Sequence, residues 1–191
     1  MTFQFKIQIK NITKPPVWRR LLIADSATFE RFHEVIQAAF GWEDYHMFQF
    51  SRTGYGSDEI IGIVDEEEDD DFFMAYTKLD ASKVKLSEIF QFVGQKYIYI
   101  YDFGDDWTHQ ITLEAILDDT ILNPELLAGK GACPPEDCGG VWGYANLKDI
   151  LSDNKHPEYK EMKKWLGLKP KQEWDPNFFD LEKQQIAVRQ S

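Results

Sequence analysis

The sequence predicts an α+β fold: a mostly antiparallel sheet built from N-terminal and central hairpins, with one early helix and a helical C-terminal third. Three observations predict it. Phe3, Phe5, Ile7 and Ile9 alternate with polar residues, the period of a half-buried strand. Tyr97–Leu117 reads as two strands around the turn Phe103-Gly104-Asp105-Asp106. Beyond Pro124 the spacing of apolar residues becomes helical. Strands first and helices later argue against alternating βαβ units.

The elements follow in order. After Pro15-Pro16, residues Val17–Ile23 form a strand that can pair with the first. Phe29, Phe32, Ile36, Ala39 and Phe40 share one face of a helix over Thr28–Phe40, and Gly41 stops it. Tyr45–Arg52 reads as a strand with His46, Phe48 and Phe50 on one side, and Glu59–Val64 as a short one. The run Asp65–Asp71 is seven consecutive acidic residues, expected as an exposed, mobile loop because like charges repel. Leu86–Phe90 suits one helical turn. Helices are expected at Pro124–Leu127, Tyr144–Leu151, Pro157–Leu166 and from Leu181. A length of 191 residues suits a single domain over 1–191.

Composition narrows function. Aromatics make up 15% of the chain, too many for a disordered protein. The net charge is −12; without the acidic run it would be −5, still not the basic face of a protein that wraps nucleic acid. Lys155, Lys160, Lys163, Lys164, Lys169 and Lys171 make the best local candidate for such a face, and solubility explains them as well. Two cysteines, no signal-peptide pattern and no apolar run near the roughly 18 residues of a membrane span point to the cytoplasm and away from a membrane. Walker, G-x-G-x-x-G, G-x-S-x-G and H-E-x-x-H motifs are missing from the sequence.

Two segments could carry chemistry. With a turn centred on Gly104-Asp105, Asp102 faces Trp107, and Asp102 and His109 share an apolar face at diagonal positions about 7–8 Å apart. They would then be an Asp-oriented histidine, acting as base or metal ligand, or a satisfied core pair that pins the hairpin. Cys133–Tyr144 carries two prolines, three glycines, Glu136, Asp137 and Trp142, and reads as a rigid loop. Cys133 and Cys138 could hold zinc with His46 and His109 (His33 is a further donor), or be two small buried thiols. Arg19 sits on the inward face with Val17 and Leu21, so it needs a partner, and Asp102, Glu136 or Asp137 could supply one. That pair would lock the loop to the sheet or form an anion pocket.

Pro15-Pro16-Val17-Trp18-Arg19-Arg20, Phe32–Trp42 with His46 and Phe48, Tyr101–His109, and Pro134–Gly140 with Trp142-Gly143-Tyr144 together resemble the plasmid Ri ORF-3-like family over about residues 3–180. The resemblance implies an association with plasmids and mobile elements, and for some members labels such as transposon passenger or putative resolvase. It implies no mechanism, and the resolvase label sits badly with an acidic chain. Leu126 and Gly131 stand where the family tends to have a cysteine and an arginine, which weakens any site that needs them. Three function classes remain. The favoured one is a non-enzymatic binding or accessory module for a protein or small ligand, in the groove between hairpin and loop. The others are a metal-dependent hydrolase-like enzyme and a nucleic-acid-binding accessory protein.

Overall fold

A computed structural model describes residues 1–64 and 76–191. The acidic run therefore lies outside the described residues. Among the described residues eight strands form one sheet: β1 (Thr2–Thr13), β2 (Pro16–Ala24), β3 (Phe48–Ser51), β4 (Glu59–Gly62), β5 (Thr77–Asp80), β6 (Lys96–Tyr101), β7 (Trp107–Leu117) and β8 (Glu125–Lys130). Their order across the sheet is β5-β4-β3-β6-β7-β1-β2-β8. The helices are α1 (Phe29–Phe40), α2 (Leu86–Ile89), α3 (Gly140–Ser152), α4 (Tyr159–Trp165) and α5 (Leu181–Gln190).

This corrects the predicted fold class in two respects. The sheet is mixed, because β4 and β5 pair in parallel, and β3, β4, β5 and β8 extend it well beyond two hairpins. The C-terminal third is not helix-rich either: residues 131–139 and 166–180 contain neither helix nor strand. The segment expected as a helix at Pro124–Leu127 instead enters β8, which pairs with β2 and turns Leu126 into the core. Four residues are too few for apolar spacing to separate a helical turn from an edge strand.

The N-terminal expectations hold. Phe3, Phe5, Ile7 and Ile9 are all buried, and β1 lies between β2 and β7. Thr28 caps α1 by accepting from the Arg31 amide at 3.2 Å, and Gly41 ends it. The apolar stripe of α1 packs onto the sheet through Phe32 against Phe5 and Phe29 against Phe50, with ring centroids 4.8 and 5.0 Å apart. Each fully buried ring contributes about 1.5–3 kcal/mol. Truncating Phe32 to Ala would cost about 3–5 kcal/mol.

The central hairpin differs from the expected register by one residue. Tyr101 pairs with Trp107, Tyr99 with His109 and Tyr97 with Ile111. The turn is therefore five residues, Asp102–Asp106, with Asp102 and Asp106 left-handed at φ 56° and 52°. Aspartate tolerates that conformation better than most side chains. Because side chains alternate, the shift puts Tyr97, Tyr99 and Tyr101, rather than Ile98 and Ile100, on the face shared by His109.

Candidate functional site

The hairpin turn meets the 133–139 loop and the first turn of α3, which begins at Gly140 rather than at the expected Tyr144. Asp105 accepts from the Gly139 amide at 3.1 Å. The approach needs glycine at 140, and the fold of the loop onto the start of α3 needs it at 143. A Cβ on Gly140 would stand 2.4 Å from the Asp105 carbonyl oxygen, and one on Gly143 would stand 1.8 Å from that of Cys138. A side chain at 140 would push the start of α3 off the turn, and one at 143 would push it off Cys138.

A third segment, residues 42–47 between α1 and β3, closes the junction. Trp42 Nε1 donates to the Pro134 carbonyl at 2.9 Å. Glu136 takes two bonds, from the Glu43 amide at 3.0 Å and from the Tyr101 hydroxyl at 2.5 Å. That hydroxyl in turn accepts from the Tyr45 amide at 3.0 Å. Burial, and next the Glu136 carboxylate, push the Tyr101 phenol well above its ordinary range. Glu136 thus ties all three segments together.

This frame brings His46, Asp102 and Asp137 together. His46 Nε2 lies 3.6 Å from Asp102 Oδ2 and 3.2 Å from Asp137 Oδ1. Asp102 is buried, and its Oδ1 accepts from the Gly104 and Asp105 amides at 2.9 and 3.3 Å, which leaves Oδ2 turned toward the histidine. Asp137 is exposed and, like Asp102, left-handed, with φ 58°. The Tyr101 ring meets the His46 ring edge-on at 5.8 Å and limits its rotation. Close in sequence to these three residues, Tyr45, Phe103 and Trp142 stand exposed, Trp142 at 87%. Asp137 and Cys138 also border a cavity of about 240 Å³ that runs to Leu147, Met162 and Trp165 between α3 and α4.

The expected pairing of Asp102 with His109 is not what the structure builds. His109 is wholly buried, and its Nδ1–H donates to the Trp107 carbonyl at 2.7 Å. It packs edge-on against Phe40 and Trp42. Burial pulls its pKa down to about 3, so it is neutral. From surface to core the rings run His46, Tyr101, Trp42, His109, with centroids 5.8, 5.1 and 5.4 Å apart in turn. The five-residue turn causes this difference: it lifts Asp102 off the sheet and points it at His46.

Arg19 is buried as expected, but among the described residues no carboxylate pairs with it. Its guanidinium donates to four carbonyl oxygens: Ala39 at 2.9 Å, Trp18 at 2.8 Å, Lys130 at 3.0 Å and Gly131 at 3.2 Å. It is sandwiched between the rings of Phe40 and Phe179, at 4.9 and 4.2 Å. Burial lowers its pKa to about 10. The bend after β8 aims the carbonyls of residues 130 and 131 inward, and they do the work expected of an acid.

Cys133 and Cys138 are free thiols. Burial raises the Cys133 thiol far above its usual range and pushes Cys138 up to about 12, so both stay protonated. Among the described residues, one group of three or more metal-capable side chains lies within ligand reach, and it is His46, Asp102 and Asp137. The expected zinc set of Cys133, Cys138, His46 and His109 thus contributes His46 alone to that group. The sequence singles out each of the three residues but does not join them. The left-handed aspartates after Tyr101 and Glu136 were the available signal, and they become visible only once the turn lengths are known. His33, also buried, bonds Tyr99 and Asp44, each at 2.7 Å. Lys160, Lys163 and Lys164 border a separate cleft of about 600 Å³.

The family model for the plasmid pRiA4b ORF-3-like protein matches residues 1–183. The chain belongs to that family. The uncharacterized protein y4hQ of Sinorhizobium fredii is 35% identical to this family member over 182 residues, which are 94% of this chain and 88% of that protein. The crystal structure of MM3350, a protein of unknown function from Methanosarcina mazei Go1, shares the fold with a TM-score of 0.78 at 36% identity, over 95% of each chain. Among the described residues of this pRiA4b ORF-3-like chain, no helix is long and apolar enough to cross a membrane.

Proposed function

We propose that this protein is a cytoplasmic binding or accessory module that takes a partner protein or small ligand at the junction of the β6–β7 turn, the 42–47 segment and the 133–139 loop with the first turn of α3. The observation that carries this reading is the contrast within the junction. Hydrogen bonds through Glu136, Tyr101 and Trp42 fix the segments that carry them, while Tyr45, Phe103 and Trp142 stand out in solvent. Exposed aromatic side chains on a rigid base are the anchors that binding sites use, because little side-chain entropy is lost when they are covered. An indole exposed to 87% adds nothing to the core. The two unpaired cysteines suit a reducing compartment.

The test is a double variant, Trp142→Ser with Phe103→Ser, compared with wild type as immobilised bait in extract of the source cells. The expected result is a bound species that wild type retains and the variant loses at least tenfold, with melting temperatures within about 2 °C, as befits surface changes worth under about 0.5 kcal/mol. Identical captured sets would overturn the reading.

A further inference from the structure

We infer that His46 Nε2, Asp102 Oδ2 and Asp137 Oδ1 are the protein ligands of a divalent transition-metal ion, with at least one coordination position left open toward solvent. The inference deepens the reading of the junction as a ligand site and rests on it: the open position would take an oxygen or nitrogen donor of whatever docks there.

The first support is distance. Bonds of about 2.0–2.2 Å from zinc to imidazole nitrogen and carboxylate oxygen put neighbouring ligand atoms of a tetrahedral site roughly 3.3–3.5 Å apart. The observed separations from His46 Nε2 are 3.2 and 3.6 Å, on either side of that range. All three ligand atoms lie within 4.8 Å of one another.

The second is an unmet valence. His46 Nε2 is shut off from solvent and has no hydrogen-bond partner, although Asp137 Oδ1 lies only 3.2 Å away. Leaving a buried polar atom unmatched costs about 1–3 kcal/mol. Gln37 Oε1, Trp107 Nε1 and His109 Nε2 are likewise buried and unmatched, but only His46 Nε2 belongs to a cluster of metal-capable side chains among the described residues. A cation between the three groups would satisfy the nitrogen and both carboxylates at once.

The third is orientation. Asp102 is buried to more than nine-tenths, and two turn amides fix its Oδ1, so Oδ2 is presented without freedom to swing away. Hydrogen bonds that fix a ligating carboxylate in this manner are the ordinary support of a metal site. One imidazole with two carboxylates suits zinc or manganese; calcium would demand six to eight oxygens. Three protein ligands with an open position fit an ion that meets an incoming group, whereas a purely structural zinc has four protein ligands.

The experiment uses the full chain, stripped with a chelator and dialysed, then titrated calorimetrically with Zn²⁺ and, separately, Mn²⁺. One equivalent of at least one ion should bind. His46→Gln and Asp137→Asn should each weaken that binding tenfold or more with unchanged circular dichroism. Asp137 is exposed, so its variant keeps the test open even if His46→Gln folds poorly. Cys133→Ser with Cys138→Ser should leave the affinity within twofold. Cobalt(II) should give visible absorption bands of a low-coordinate site in wild type, and these should be absent in His46→Gln. Failure of both ions to bind the stripped protein would overturn the inference, as would binding that survives both ligand variants or disappears with the cysteines. Partner capture by the stripped protein is scored separately through the Trp142 and Phe103 variant, so loss of the metal site and loss of the docking reading are distinguishable.

Discussion

Two polar constellations, at Arg19 and at His46, lie on either side of α1 in the sequence, and they are finished to different degrees. At Arg19 every guanidinium nitrogen donates: four carbonyl oxygens and two aromatic faces surround one guanidinium. At His46 a buried nitrogen faces two carboxylates and bonds neither, on a backbone that places both aspartates in the left-handed region. A fully matched buried group holds the fold together, since removing it strands its partners. An incompletely matched group at the surface stabilises little and keeps capacity for something else. Burial alone does not separate the two cases; the count of unmet hydrogen bonds does.

The largest effect should come from breaking the finished constellation. Arg19→Met leaves four inward carbonyls without a donor, and about 3–5 kcal/mol of stability should be lost in urea unfolding at neutral pH. Arg19→Lys should recover only part of it, because three donors on a flexible stem cannot replace a planar fork that also stacks. A loss below about 1 kcal/mol for Arg19→Met would mean that the carbonyls find other partners.

An intermediate effect should come from acid. The folded-state pKa of His109, about 3, lies below the value near 6.5 of an unfolded chain, so the unfolded state binds the proton first. Its contribution is complete above about pH 6.5 and declines as pH falls toward 3, by at most about 1.4 kcal/mol per unit. His33 is shifted down by burial as well and acts in the same direction. Urea midpoints measured from pH 7 to pH 5 should therefore fall, and His109→Phe should flatten the decline. An unchanged slope in that variant would remove His109 as its source.

The smallest effect should come from the unfinished constellation. Asp137→Asn, at an exposed side chain that tolerates the left-handed backbone, should shift stability by less than about 0.5 kcal/mol in the metal-free protein. A loss comparable to that of Arg19→Met would show that Asp137 serves the fold and would erase the contrast.

Parts of this picture are legible in the sequence because they depend on local period. The buried face of β1, the stripe and caps of α1, and the existence of the β6–β7 hairpin all follow from spacings within a dozen residues. That residues 133–139 form neither helix nor strand is legible in their prolines and glycines, although the start of α3 at Gly140 is not. The register of the hairpin is not, because five turn residues instead of four reverse which residues face inward, and no periodicity within the strands reports turn length. The same parity explains why Asp102 turns away from His109. Likewise, Leu126 reads as part of a helical turn until β2 is present to pair with its strand.

What the sequence determined by itself was the set of participants: the apolar alternation, the helix and its stop, the inward arginine, and the acids, histidine and tryptophan at the candidate site. What the tertiary structure alone decided was their company. Arg19 met carbonyls rather than a carboxylate, His109 met aromatic rings, and His46 met Asp102 and Asp137. Local patterns fix which face of an element is apolar, but partners distant in the chain are chosen when elements close on one another, where turn length and backbone direction decide which polar atoms meet.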